Sequence, residues 1–448
     1  MRAFRSRDYR VFWLGSLAAN LGLWVQQIAL GWLVYDLTRQ ASWLGMVSFC
    51  GNLPILVLGL FGGAVADRAS RRTIMLGTSA VMAVCALALA ALTVSGHIGI
   101  AHVIAVSMVA GSAAALFGPA MQAVVPSLVE PADLPHAISL NSVQFNVART
   151  LGPVLAGVAY GVIGPAGCFA LNGAGLLAML GMLVRIRLPN RSVGAPPPML
   201  RALRDGFRYV RRHAVIGPAL LLAAVMSVFG FPYIILLPAI ARDVLGLDAR
   251  GLGYLMAAVG AGAVTGGLAL SAWDPARKER VAAASAVTFA LAMTTFVVVR
   301  SRAGMAVLLF SLGVLQTIAI ASMNTAIQTV VHDGMRGRVM SMMTVILFGL
   351  ATAGALVIGF AGDRIGVPQA LAAGGVVIFL VAVRVLAASG RGREDARDGE
   401  GDVDLAPGKE VVGAIDHVQC AGRGERRHAL ERTVHVACAA HEGDRGAG

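Results

Sequence analysis

The chain has 448 residues, of which 57% are hydrophobic and 14% charged, with 54 glycines and a formal net charge of +13. A soluble domain carries about 25% charged residues, so this balance excludes one and points to an integral membrane protein. Aromatics are only 6% and no dyad alternation runs through the apolar segments, which excludes a barrel and favours closely packed helices.

A helix needs about 20 apolar residues to cross about 30 Å of hydrocarbon. Runs of that length lie near 11–35, 41–66, 73–94, 99–124, 134–163, 165–187, 214–240, 251–272, 281–299, 303–328, 338–362 and 367–388. They predict an all-α membrane protein of twelve transmembrane helices. The first run follows Arg2, Arg5, Arg7 and Arg10 and is too long for a signal peptide, so it reads as a retained span. Residues 188–213 form a polar connection with Pro196-Pro197-Pro198 and an arginine-rich amphipathic stretch from Leu200 to Arg212. This connection separates two six-helix halves, 1–187 and 214–388. Beyond them, over 389–448, Gly, Arg, Asp and Glu replace the apolar periodicity, which reads as a disordered tail. Laying the eleventh span on the fifth brings Ser139 and Ser341, Gly152 and Gly354, and Gly157 and Gly359 into register, a faint echo of parallel repeats.

With the N-terminus inside, the N-terminal arm, the 66–72 loop and the central connection concentrate arginine on one face, while the opposite loops hold far less. The positive-inside rule then places both termini in the cytoplasm of a cell (inner) membrane protein. The same rule accounts for the positive charge without a nucleic-acid partner. Cys50, Cys85 and Cys168 lie in apolar segments and read as packing residues. His417, Cys420, His428, His435, Cys438 and His441 in the tail lack paired-knuckle spacing, so no metal is expected. Neither Lys278 nor Lys409 follows a phosphate-loop pattern, and no convergent acid, base or nucleophile marks an enzyme. No cofactor is expected.

Between the second and third runs stands Gly62-Gly63-Ala64-Val65-Ala66-Asp67-Arg68-Ala69-Ser70-Arg71-Arg72. Small residues let helices approach, a carboxylate can meet the positive end of a neighbouring helix, and arginines hold the loop at the cytoplasmic side. Gly63, Asp67, Arg68, Arg71 and Arg72 resemble the Gly-x-x-x-Asp-Arg-x-Gly-Arg-Arg/Lys motif of the major facilitator superfamily, with Ser70 replacing the second glycine. Trp24-x-Gln26-Gln27, the run Trp32 to Thr38, Pro54, and the run Asn146 to Pro153 look like the branch containing the enterobactin exporter and macrolide-type efflux proteins. Gly152-Pro153-x-x-Ala156-Gly157 is similar to the fifth-helix signature of the superfamily's antiporters, with Ala148 in place of its first glycine. Two readings stay open there: a bent helix rocking against the opposite half, or a kink such as any membrane helix tolerates. A lookalike, Gly359-x-x-x-Asp363-Arg364-x-Gly366, falls at the outer end of the eleventh run. It reads as a periplasmic turn that repeats the motif in letters only.

The resemblance implies that helices 1, 4, 7 and 10 line a central cavity. Asn20, Trp24, Gln27 and Gly31 then form one stripe, and Thr317, Ala321, Asn324 and Gln328 another. These amides either touch cargo or join helices by hydrogen bonds. In the fourth run Ser107, Gly111, Gly118 and Gln122 form a small-residue face that leaves room for cargo. Arg149, on a stripe with Ser142, Asn146 and Pro153, is the one charge expected deep in the hydrocarbon, where it contacts an anion or a conformational partner, or bonds backbone carbonyls. Asp36 is its nearest candidate partner by type. Glu130, in the loop after the fourth run, faces the basic gate loop as a latch or as an ordinary solvated pair with Arg72.

Together these features predict a monomeric secondary active transporter that exports a small amphipathic molecule by alternating access, with protons as the coupling ion. A facilitated or symport uptake carrier is the alternative, ahead of a membrane-embedded enzyme or a non-transporting sensor.

Overall fold

The structure, a computed structural model, describes residues 2–66, 71–186, 209–210, 213, 215–273, 275 and 277–391. Asp67, Arg68 and Ser70, nearly all of the 188–213 connection and the tail beyond Arg391 lie outside the described residues.

All regular structure among the described residues is helical, and ten segments are long and apolar enough to cross a bilayer. The first group comprises α1 (Arg7–Thr38), α2 (Ala41–Ala66), α3 (Arg71–Val94), α4 (Ile100–Leu128) and α5 (Leu134–Arg185). The second comprises α6 (Ile216–Val225), α7 (Ala249–Ala272), α8 (Lys278–Thr294), α9 (Arg302–Val330), α10 (Asp333–Thr344), α11 (Ala351–Ile365) and α12 (Val367–Arg391). A π-helical turn, Val345–Leu350, joins α10 to α11. After α6 the chain stays helical through a π turn at Met226–Gly230, two short pieces at Pro232–Ile235 and Leu237–Ala239, and a second π turn at Ile240–Val244. Pro232 and Pro238 have no N–H to donate, and the widened turns absorb the breaks in the α-helical ladder. This extension carries Arg242 and Asp243 beyond 240, where the apolar run ends in the sequence.

The 52 residues of α5 would reach about 78 Å as one straight helix, more than twice the hydrocarbon thickness. Gly164 resolves the mismatch with φ 66° and ψ −177°, a conformation open to glycine and strained for any other residue. The packing partners show the reversal. Tyr9 bonds Ala137 and Gly152 meets Trp24, so the first leg runs parallel to α1; Gly15 meets Met179 and Gly22 meets Asn172, so the second leg runs antiparallel.

At the Arg7 end of the first group, α1 is tied to its own neighbours. The Ser6 hydroxyl donates to the Leu128 carbonyl at 2.8 Å, and the Tyr9 hydroxyl donates to the Ala137 carbonyl at 3.0 Å. Contact between the two groups is made by α2 on α11 and by the first leg of α5 on α7.

Candidate functional site

The Thr38 end of α1 is where polar side chains of the two groups meet. Asp36 Oδ1 lies 2.7 Å from Arg242 Nη1 and 3.2 Å from Arg39 Nη2. The Arg242 guanidinium also stands 5.4 Å from the centre of the Trp32 ring, a cation–π distance. Trp32 in turn meets Tyr160 edge to face, with centroids 6.5 Å apart. Beside this pair the Tyr35 hydroxyl donates to Asp243 Oδ2. The carboxylates of Asp36 and Asp243 thus each hold one partner from the other group.

Backbone contact closes the same end. A Cβ at Gly157 would lie 3.0 Å from the Gly253 Cα and 3.2 Å from the carbonyls of Ala249 and Arg250, so glycine on both helices permits this approach. Arg250 Nη2 donates to the Gly161 carbonyl at 3.3 Å, and Gly31 faces Pro238. A cavity of about 570 Å³ remains here, lined by Trp32, Tyr160, Arg242, Leu247, Asp248 and Arg250 among others.

At the start of α2 the backbone N–H groups of Ala41 and Ser42 donate to Asp363 Oδ1 at 2.6 Å and Oδ2 at 3.1 Å. The turn that the sequence repeats in letters only is therefore the last turn of α11, and its carboxylate grips the N-terminus of a helix in the other group. That expectation is corrected: topology alone does not reveal that the first N–H groups of α2, which have no acceptor within their own helix, lie within reach.

The fifth-helix motif divides. Gly152 packs on Trp24 within its own group, whereas Gly157 packs across the junction. The side chains of Pro153, Asn146 and Arg149 lie outside the described residues, as does that of Arg71. Asp36 does not suit Arg149: Gly152 lies level with Trp24, which puts position 149 about 22 Å along the axis from Asp36. Arg72 Nη2 donates to the Val184 carbonyl at 2.7 Å, capping the end of α5, while Glu130 is exposed beside the short helix Pro131–Asp133.

Among the amides, Gln27 and Gln328 are exposed, and Gln328 Nε2 donates to Asn324 Oδ1 at 2.8 Å. Asn20 Nδ2 reaches Ser16 at 3.4 Å, Thr317 is half-buried, and the buried Trp24 indole N–H has no partner among the described residues. The stripes leave out Gln26, which accepts from Asn172 Nδ2 at 2.7 Å, and Gln316, which accepts from the Tyr233 hydroxyl at 3.3 Å. Both lie one position away from the residues the stripes select. On α4 the expected cargo room is narrower. Gly111 is in backbone contact with Gly51 and Ser107 packs on the same glycine, so these two residues join α2 to α4; Gly118 has open space around it.

The chain matches the family described as Transmembrane secretion effector over residues 1–403. It is 28% identical over 257 residues to the staphyloferrin A transporter of Staphylococcus aureus, a match covering 56% of this chain and 64% of that one. It is 23% identical over 391 residues to macrolide efflux protein A of Streptococcus pyogenes, covering 84% of this chain and 94% of that one. A solved bacterial homologue of the human lysosomal transporter Spinster superposes with a TM-score of 0.68 at 14% identity, over 86% of this chain and 97% of that one. The chain therefore belongs to the Transmembrane secretion effector family and is a multi-pass membrane transporter of the major facilitator fold, not an enzyme.

Proposed function

We propose that the protein is a secondary active exporter of a small amphipathic molecule, working by alternating access and driven by proton antiport. Its twelve spans comprise the ten apolar segments together with α2 and the first leg of α5, arranged as two six-helix halves that flank the 188–213 connection. It acts as a monomer in the inner membrane, with both termini in the cytoplasm. Under the positive-inside rule the Thr38 end then faces outward.

The observation that carries this reading is the one-sided junction. Among the described residues, the ion pair, cation–π contact, helix cap and glycine packing between the two groups gather at the Thr38 end. Such an arrangement suits a conformation shut to the outside, with the exposed amides Gln27 and Gln328 available as cargo contacts inward of that junction. The stripe Asn20, Trp24 and Gln27 would meet cargo from one half, and Thr317, Asn324 and Gln328 from the other. Arg149 and Asn146 supply a site for an anionic group on the cargo. Asp67, with Gly63, Arg68, Arg71 and Arg72, would close the opposite face together with Glu130 in the other half of the cycle. The name of macrolide efflux protein A and the Gly152-Pro153-Gly157 resemblance support export over uptake.

Cells expressing the chain should accumulate less of a fluorescent amphipathic dye than control cells, and a protonophore should abolish the difference. Equal accumulation with and without the protein across a panel of such dyes and macrolides would count against export.

A further inference from the structure

We propose that Asp363 is the latch of the outer gate, a positioning residue for transport that holds the Thr38 end shut by capping the N-terminus of α2. Each part of Gly359-x-x-x-Asp363-Arg364-x-Gly366 has a physical task here. A Cβ at Gly359 would lie 2.8 Å from the Ala41 carbonyl and 3.0 Å from the Ser42 Cα, so glycine lets α11 touch the first turn of α2. One turn later the Asp363 carboxylate takes the N–H groups of Ala41 and Ser42, two of the donors that a helix start leaves unsatisfied. The positive end of the helix dipole adds to the attraction. Gly366, at φ 92°, then ends α11 directly beyond the carboxylate.

The cap joins residues 322 positions apart, one in each group of helices. It therefore exists only while the two groups are together at this end. Opening the Thr38 end would leave both the carboxylate and the two N–H groups to water. The same order of residues, glycine, three positions, then Asp-Arg, stands at Gly63, Asp67 and Arg68. One chain thus carries two such motifs in its sequence, and the copy at Asp363 caps α2.

The inference rests on the alternating access proposed above, and it is tested without cargo or gradient. In the full chain with its five cysteines replaced by serine, single probes are placed at Ala249→Cys, in the closed junction, and at Gln328→Cys, which is exposed. Membrane-impermeant thiol reagents are applied from each side of vesicles. Asp363→Ala should raise labelling at position 249 about fivefold and lower it at position 328, with Asp363→Asn intermediate because its amide oxygen still accepts one bond. Gly359→Ala, which leaves the carboxylate in place, should shift both probes in the same directions. Unchanged labelling in these variants would overturn the latch. A rise at both probes would overturn it too, because a loosened fold and not a shifted gate would then be the cause. Failure of the dye experiment alone would defeat the export reading and leave these labelling results standing.

Discussion

Asp36 and Arg242 stand 2.7 Å apart across the junction of the two helix groups, and the same guanidinium lies over the Trp32 ring. Their side chains are 39% and 31% exposed, so water screens the pair and its direct contribution is about 0–1 kcal/mol. A contribution of that size suits a gate, which must open within each cycle. Asp36→Asn or Arg242→Gln should each raise outer-side labelling of a junction cysteine about twofold to fivefold. The exchanged pair, Asp36→Arg with Arg242→Asp, should bring it back towards the parent value.

Tyr35 and Asp243 form the neighbouring tie. Tyr35→Phe removes the hydroxyl that ties the buried Tyr35 ring to the exposed Asp243 carboxylate, a loss of about 0.5–1.5 kcal/mol. The variant should melt at a lower temperature in detergent, measured by the exposure of buried thiols on heating, and Asp243→Asn in the same background should cost little more, because the tie is already lost.

Gly152 and Gly157 should behave differently although they share one motif. Gly157→Val presses on Gly253 across the junction and should leave a folded protein that transports poorly, because its outer end no longer closes. Gly152→Val presses on Trp24 inside one group and should reduce the yield of folded protein, as overpacking costs about 1–3 kcal/mol. Size-exclusion profiles and transport rates of the two variants separate these outcomes.

Gln328 and Asn324 lie at the exposed end of their stripe and bond each other. Gln328→Ala and Asn324→Ala should change the apparent affinity for cargo while moving stability by only about 0.5 kcal/mol or less. Dose-response curves for cargo set beside thermal melts would check this.

Much of the fold was legible in the sequence because apolar length is a strong signal in a bilayer. The break between the fifth and sixth runs fell at 164 for that reason, and the structure puts its one non-helical glycine within α5 there. The junction was less legible. Arg242 and Asp243 close a helix that continues through π turns past two prolines, which no periodicity announces. Gln26 and Gln27 are adjacent in sequence, yet one is bonded to Asn172 and the other is exposed, a difference set by which face of α1 meets the second leg of α5. Asp363 was visible as a motif, but its partner is the start of a helix from the other half of the chain. A pattern read along one strand of sequence cannot supply that contact.

The central claim, proton-driven export by alternating access, is tested most directly in proteoliposomes whose protein orientation has been fixed by protease accessibility. A pH step that makes the compartment facing the Thr38 end acidic should drive cargo into that compartment, and collapsing the step should stop it. Cargo movement at an equal rate with the step imposed, reversed or absent would contradict proton antiport, and movement only away from the Thr38 side would contradict export.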